Sequence, residues 1–171
     1  MNEEILARIT KLEDQEDIKR LLYQYTDFLD ARDYSADAVK EIFSEDGIIR
    51  FPTGSTGKGY DGVAEAHQKI MALFVSTNHN VSNAVISSYT PEQAEVHAHM
   101  HVFHKFVPEI AEKAAADLFV VNDRICALAV KTEQGWRLKQ FEIEAIYTTL
   151  DNHVEELPIA PPVAMDKSNQ S

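Results

Sequence analysis

The chain has 171 residues, of which 44% are hydrophobic, and this size is typical of one domain with one core. Its net charge of −12 repels phosphate backbones and therefore disfavours nucleic acid as a partner. The single cysteine excludes an internal disulfide bond, and the lack of a long apolar run or signal peptide predicts a cytoplasmic protein without a membrane span. We expect one domain over residues 1–150 and a tail over 151–171 whose end is disordered.

Helical periodicity dominates the first half of the chain. Residues 2–32 place apolar side chains at intervals of three and four and predict a long helix that begins with acidic residues. Ser35 can cap a second, short helix. The segment GIIRF at 47–51 predicts a short strand and TGSTGKG at 53–59 a flexible turn, after which residues 61–76 predict a third helix.

The hydrophobic period then changes to two, which is typical of strands. Long strands are predicted over 79–88, 94–106, 117–131 and 136–148, with residues 107–115 as an irregular connection. Helices followed by strands predict an α+β fold in which the helices cover one face of a curved antiparallel sheet.

Four of the seven histidines lie in the segment HAHMHVFH at residues 97–104. Alternate residues of a strand share a face, so His97, His99 and His101 should point outward and His104 inward with apolar neighbours. Histidines at this spacing can bind zinc, but no cysteine or carboxylate is interleaved, so we expect a polar or dimer-contact face without a metal ion. The pattern alone favours His104 as a core histidine satisfied by a hydrogen bond.

Two further titratable residues lie at predicted element ends. Asp30 is near the C-terminal end of the first helix, where the dipole disfavours a negative charge, and the pattern favours a solvated carboxylate over a specific partner. His79 begins a strand of mixed character that does not indicate which way its side chain points. We interpret His67 as a residue on a helix surface and His153 as part of the tail.

Four segments, DIKRLLYQYTDFLDARDY, IFSEDG, TNHNVSN and QGWRLKQFEI, occur in an order that spans roughly residues 10–147. In this order they resemble the SnoaL-like branch of the nuclear transport factor 2-like superfamily. That branch includes scytalone dehydratase, bile-acid dehydratases, polyketide cyclases and a dehydrochlorinase. The resemblance implies an α+β cone, in which a curved, mainly antiparallel sheet and about three helices from the N-terminal half surround a deep pocket.

The resemblance also implies a catalytic site with three members. Asp30 and His79 match the positions of the family's Asp–His dyad. His104, which follows His79 by 25 residues, matches the second catalytic histidine of scytalone dehydratase. Because its strand position also predicts an inward side chain, we expect His104 in the pocket. Asn122 matches a pocket asparagine of that enzyme, although the hairpin beside it is longer here.

Two positions depart from scytalone dehydratase, which uses two tyrosines to polarise the carbonyl group of its substrate. The matching residues here are Leu29 and Phe51, and neither can donate a hydrogen bond. The pocket should therefore be more apolar, and scytalone itself is disfavoured as the substrate. Any oxyanion needs a donor from elsewhere, and the candidates are Asn122, Tyr25, Tyr60 and Tyr147.

The function implied by the resemblance is acid–base catalysis without a cofactor. Asp30 would fix the tautomer of His79, which would take a proton from a small hydrophobic carbonyl compound of the polyketide, steroid or terpenoid type. His104 would then protonate a leaving hydroxyl group or an enolate, giving dehydratase, isomerase or cyclase chemistry. The alternative is a non-catalytic ligand-binding protein or a structural subunit, as in ring-hydroxylating dioxygenases. A homodimer through the convex sheet face is also expected.

Overall fold

The computed structural model describes residues 2–150, which form four α-helices and one six-stranded β-sheet. The helices are α1 (Asn2–Ala31), α2 (Ala36–Lys40), α3 (Gly59–Met71) and α4 (Pro108–Ala114). The strands are β1 (Phe43–Arg50), β2 (Thr56–Lys58), β3 (Phe74–Tyr89), β4 (Gln93–Phe106), β5 (Leu118–Thr132) and β6 (Gly135–Thr148). No helix in the described part of the chain is long and apolar enough to cross a membrane. The predicted tail, with His153, lies outside the described residues.

The predicted α+β architecture is confirmed, but two short elements were missed. Residues 53–59, predicted as a turn, contain β2, which forms the sheet edge by pairing with β1. Residues 107–115, predicted as a connection, contain α4. This helix begins at Pro108, whose fixed φ suits a first helical turn. It ends at Ala114, and the next residue, Ala115, has a left-handed φ of 49°. Both elements are too short to produce a periodic hydrophobic pattern.

The third helix is also shorter than predicted, because α3 ends at Met71, five residues before the expected end. The chain then turns into β3, whose first residue, Phe74, pairs with the last residue of β4. Arg32 supports this turn by donating hydrogen bonds to the carbonyl oxygens of Met71 (3.0 Å) and Phe74 (2.7 Å). A carbonyl freed at the helix end is thereby satisfied by a side chain from the end of α1.

The six strands follow the order β2-β1-β6-β5-β4-β3. Neighbouring strands are antiparallel except β1 and β6, which are parallel. Register shifts interrupt the β3–β4 ladder between Ser82 and Val85 and the β5–β6 ladder between Asn122 and Asp123. Such irregularities bend a strand and increase its twist, and they allow the long strands to curve around the helices.

The core lies between the concave face of this sheet and the helices. Along β4, buried and exposed residues alternate without interruption from Gln93 to Phe106. His97, His99 and His101 are exposed and His104 is buried, so the predicted parity of the histidine segment is confirmed. The buried face of α1 supplies the other side of the core through Ile18, Leu21, Leu22, Tyr25, Phe28 and Leu29.

A buried carboxylate holds the first half of α1 against the sheet. Asp14 is 4% exposed and accepts hydrogen bonds from Tyr89 Oη (2.8 Å), Trp136 Nε1 (2.7 Å) and Lys131 Nζ. Burial acts to raise the pKa of Asp14, but the hydrogen bonds outweigh it, so the pKa lies below its ordinary value. One carboxylate thereby joins α1 to β3, β5 and β6.

Replacing this carboxylate should therefore be costly. We expect Asp14→Ala to lower the free energy of unfolding by about 2–3 kcal/mol, because the buried donors of Tyr89 and Trp136 would lose their acceptor. Urea denaturation measures the difference. Asp17→Ala is the control, since it removes only an exposed ion pair with Arg20 and should have little effect. Equal losses in both variants would contradict the anchoring role of Asp14.

Candidate active site

The concave face of the sheet and the helices α1 and α3 enclose a cavity of about 690 Å³, including the space at its mouth. Most of its wall is apolar, and Leu29 and Phe51 contribute to it as the resemblance implied. The polar side chains in the wall are Tyr25, Thr53, His79, His104, Asp123 and Thr148.

Asp30 and His79 are in direct contact at this cavity. His79 Nδ1 lies 2.6 Å from Asp30 Oδ1, and the carboxylate also accepts hydrogen bonds from the His79 backbone N–H (2.9 Å) and from Thr77 Oγ1 (2.8 Å). The His79 side chain is 2% exposed and that of Asp30 is 28% exposed. The interpretation of Asp30 as a solvated carboxylate is therefore wrong, because three donors from β3 replace water around it.

The contact with Asp30 determines which ring nitrogen of His79 carries the proton. Burial acts to raise the pKa of Asp30, but the hydrogen bonds from His79 and Thr77 outweigh it, and the pKa is lowered. An ionised carboxylate can only accept, so His79 Nδ1 carries the proton. In the neutral imidazole, Nε2 then holds the free lone pair that a general base requires.

His104 lies beside this pair within a set of aromatic rings. Its ring meets that of His79 edge to face at 5.4 Å between centroids and stacks on Phe74 at 4.2 Å. Burial lowers the pKa of His104 to about 3, with a further contribution from His79, so the ring is neutral at pH 7. A hydrogen bond to the Phe119 backbone acts in the opposite direction on this pKa, and the buried Nδ1 has no hydrogen-bond partner among the described residues.

Tyr25 lines the cavity, but its hydroxyl proton is engaged by His67. Tyr25 Oη is 3.1 Å from His67 Nε2, and His67 Nδ1 is 2.7 Å from the Val63 carbonyl oxygen. Because a carbonyl only accepts, Nδ1 is the protonated nitrogen and Nε2 accepts the Tyr25 proton. The placement of His67 on a helix surface is wrong: it is fully buried on the face of α3 that Val63 and Met71 share.

Three of the predicted donors do not line the cavity. Asn122 pairs with His101, which is exposed on the convex face, so the alternation of β5 directs its amide away from the cavity. Tyr147 is 52% exposed, and Tyr60 lies under the ammonium group of Lys40 at 5.7 Å. For none of these three residues did the alternation of a strand in the sequence predict a side chain that points into the cavity.

Asp123 is the cavity residue that the sequence analysis missed. It is 4% exposed, and its Oδ1 has no hydrogen-bond partner within the part of the chain that the structure describes. Burial raises the pKa of Asp123 to about 7. The period-two row Phe119, Val121, Asp123 and Ile125 could have identified it, because a carboxyl group in an apolar row needs a partner.

Within residues 2–150, Asp123 Oδ1 and His104 Nδ1 are the two buried side-chain polar atoms without a partner, and both residues line this cavity. Native interiors rarely leave such atoms unsatisfied, so their concentration here points to a ligand that completes them. No group of three or more histidine, cysteine or acidic side chains in this part of the chain could hold a metal ion.

The sequence profile of the SnoaL-like domain matches residues 10–142, and the chain therefore belongs to the SnoaL-like domain family. No match was found among curated proteins.

Solved structures share the fold. A candidate scytalone dehydratase from Novosphingobium aromaticivorans is 22% identical, with a TM-score of 0.73 over 92% of this chain and 97% of that one. The Kfla4162 protein from Kribbella flavida is 24% identical, with a TM-score of 0.72 over 81% and 94%. The hexachlorocyclohexane dehydrochlorinase LinA-type3 from Novosphingobium barchaimii is 11% identical, with a TM-score of 0.72 over 91% and 99%. At these identities the likeness shows the fold alone.

The buried histidines should make the fold sensitive to acid. Burial lowers the pKa of His67 to about 4, so the unfolded chain binds a proton below pH 6.5 that the folded chain does not. Stability from this group is full above pH 6.5 and is lost as the pH falls toward 4. We expect His67→Gln to show a smaller loss of thermal stability than the wild type between pH 6.5 and 4.5.

The exposed His97 provides the control for that comparison. The variant His97→Gln should retain the wild-type dependence of Tm on pH, because its ring is hydrated in both states. Parallel curves for the wild type and His67→Gln would show that His67 is not held neutral.

Proposed function

We propose that the protein is a cofactor-independent acid–base enzyme acting on a small hydrophobic carbonyl compound of the polyketide, steroid or terpenoid type. The observation that carries this proposal is the 2.6 Å contact between Asp30 and His79 at the wall of a largely apolar cavity. Relatives of the same fold named as a dehydratase and a dehydrochlorinase are compatible with elimination chemistry. The dehydratase, isomerase and cyclase reactions all begin with the same proton abstraction.

In the first step, His79 Nε2 takes a proton from a carbon next to the carbonyl group. The electron pair of the broken C–H bond becomes part of an enolate, and His79 becomes an imidazolium. Asp30 stabilises this cation through the hydrogen bond at Nδ1 and holds the ring in the required tautomer. The apolar wall excludes water that would otherwise compete for the proton and solvate the charges.

The role of His104 follows from its neutral state. A ring whose pKa is about 3 does not act as an imidazolium acid at pH 7, so the expected proton donation takes another form. We assign His104 the donation of a hydrogen bond from Nδ1–H, in the neutral tautomer that is protonated at this nitrogen, to the oxygen that gains charge. The proton then returns from His79, either to a leaving hydroxyl group, which departs as water, or to another carbon.

A non-catalytic binding protein or structural subunit of the same fold is the alternative. Such a protein needs a cavity or a contact surface, but it has no use for a carboxylate that fixes one imidazole tautomer beside a second histidine. The Asp30–His79 contact therefore favours an enzyme, and turnover by the variants described below separates the two functions.

We also propose a homodimer formed through the convex sheet face. This face carries the exposed histidines of β4 and the exposed apolar residues Val85 and Phe103. Single exposed apolar side chains are common, and these two supply apolar area within the face that we propose as the contact. Phe103→Asp should convert the dimer to a monomer in sedimentation velocity, and a wild-type monomer would contradict the proposal.

Exchange of acidic carbon-bound protons provides an assay that does not require the natural substrate. NMR in D₂O follows deuterium uptake by 2-tetralone, a hydrophobic ketone. His79→Ala and Asp30→Asn should slow enzyme-dependent exchange by about 10²–10⁴-fold, because they remove the base or its stabilising charge. His104→Ala should slow it by about 10²-fold through loss of a donor.

The control is His99→Ala, which alters an exposed histidine on the opposite sheet face and should leave exchange unchanged. Thermal melts accompany each variant. If His79→Ala melts like the wild type and still catalyses exchange, the proposed base is wrong. If His104→Ala loses stability without losing activity, His104 is a core residue.

A further inference from the structure

Asp123 is far from the pair that we propose to be catalytic. In the sheet, His79 pairs with Val102 and Val102 with Val121, and Asp123 is the next inward residue on β5. Strands are about 4.8 Å apart and alternate residues about 6.7 Å, so the Cα atoms of His79 and Asp123 are about 12 Å apart. The same reasoning separates Asp123 from His104 by about 14 Å. Asp123 therefore lies toward a different part of the cavity wall from His79 and His104.

Among residues 2–150, the surroundings of Asp123 provide no fixed positive charge. Its neighbours on β4 and β6 are Met100 and Ala145, which are apolar, and the described residues of the cavity wall include no lysine or arginine. The titratable groups that face it are Tyr25 from α1, with His67 of α3 behind it, and the two cavity histidines, His79 and His104. An ionised carboxylate here would be a buried charge without a counter-ion, so the neutral acid is favoured.

A neutral carboxylic acid has one O–H donor, and the side chains around Asp123 do not provide its Oδ1 with a partner. The other donors once expected in this pocket are either engaged, as Tyr25 is with His67, or directed elsewhere, as Asn122 is. Within residues 2–150 no side chain supplies this partner, and a ligand in the cavity would supply it. The O–H of the neutral acid is paired when the ligand presents an acceptor atom.

We propose that Asp123 is a neutral acid that donates a hydrogen bond to a second oxygen function of the substrate, remote from the carbon that loses its proton. The substrate class is therefore a compound of one or two rings with two oxygen functions, one at His79 and His104 and the other at Asp123. The inference rests on the proposed function for the identity of the first site, whereas the second site is defined by Asp123 itself.

The test compares two bicyclic ketones of equal shape. One is a methyl-substituted octalindione, with carbonyl groups at opposite ends of the bicycle, and the other is the octalone that lacks the second carbonyl group. Binding at pH 6 is measured by ligand-observed NMR. The wild type should prefer the dione by about tenfold or more, since a site that hydrogen-bonds an oxygen discriminates against its absence. Asp123→Leu should abolish the preference, and Asp123→Asn should retain most of it because its amide can donate.

The dependence on pH separates a donor from an ionised acceptor. The wild-type preference for the dione should decrease between pH 6 and 8.5 as the acid with a pKa of about 7 loses its proton, whereas Asp123→Asn should show a flat profile. His79→Ala and His104→Ala, measured in parallel, should retain the wild-type decrease. A preference that survives in Asp123→Leu, or that increases with pH in the wild type, would overturn the inference.

Failure of this inference and failure of the proposed function give different results. If Asp123→Leu loses the preference for the dione but His79→Ala does not slow proton exchange, the inference about Asp123 is supported and the proposed base is wrong. If Asp123→Leu keeps the preference and His79→Ala slows exchange, the proposed base is supported and the inference about Asp123 is wrong. Melting temperatures of the Asp123 variants verify that each is folded before it is compared.

Discussion

The position of α1 across the concave face is the constraint on which both the core and the site depend. Two of its carboxylates, Asp14 and Asp30, accept hydrogen bonds from the sheet and are separated by about 24 Å along the helix axis. Asp14 is held by donors from β3, β5 and β6, and Asp30 by donors from the start of β3. These contacts fix the middle and the C-terminal end of the helix, and apolar residues between them contribute to the cavity wall. The contact between Asp30 and His79 therefore depends on the position in which α1 packs against the sheet.

The sequence predicted most of the long helices and strands, in which the spacing of apolar residues repeats several times. The long first helix and the alternation of β4 were correct because many residues repeat the same pattern. The family resemblance placed Asp30 next to His79, which no periodicity could do, because 49 residues separate them in the chain. β2 and α4 were missed because three and seven residues contain too little periodic signal.

The residues that were mispredicted at the site have one feature in common. The direction of a single side chain depends on its exact position in the strand or helix, which the sequence pattern does not define. Asn122 and Asp123 are adjacent, but the pleat sends their side chains to opposite faces. The resemblance matched Asn122 by counting across a hairpin of different length, and the structure directs this side chain away from the cavity. His67 was misplaced for a related reason: its burial depends on Tyr25 and Val63, which supply partners for both ring nitrogens and make a buried imidazole acceptable.

Two polar atoms without a protein partner within residues 2–150 lie in an otherwise apolar wall. A ligand that forms hydrogen bonds with them gains affinity from contacts that an apolar ligand of the same shape does not make. The helix α1 contributes both to this wall, through Tyr25 and Leu29, and to the anchor at Asp14. The scaffold and the cavity are therefore linked through the same helix.

The anchor at Asp14 has a spectroscopic consequence. Trp136 is the one tryptophan of the chain, and its indole N–H donates to Asp14 beneath the ammonium group of Lys131. It does not line the cavity. Intrinsic fluorescence excited at the indole band therefore reports whether α1 is seated on the sheet, and it is insensitive to which molecule fills the cavity. Trp136 is therefore an intrinsic fluorescence probe of the docking of α1 that lies outside the proposed active site.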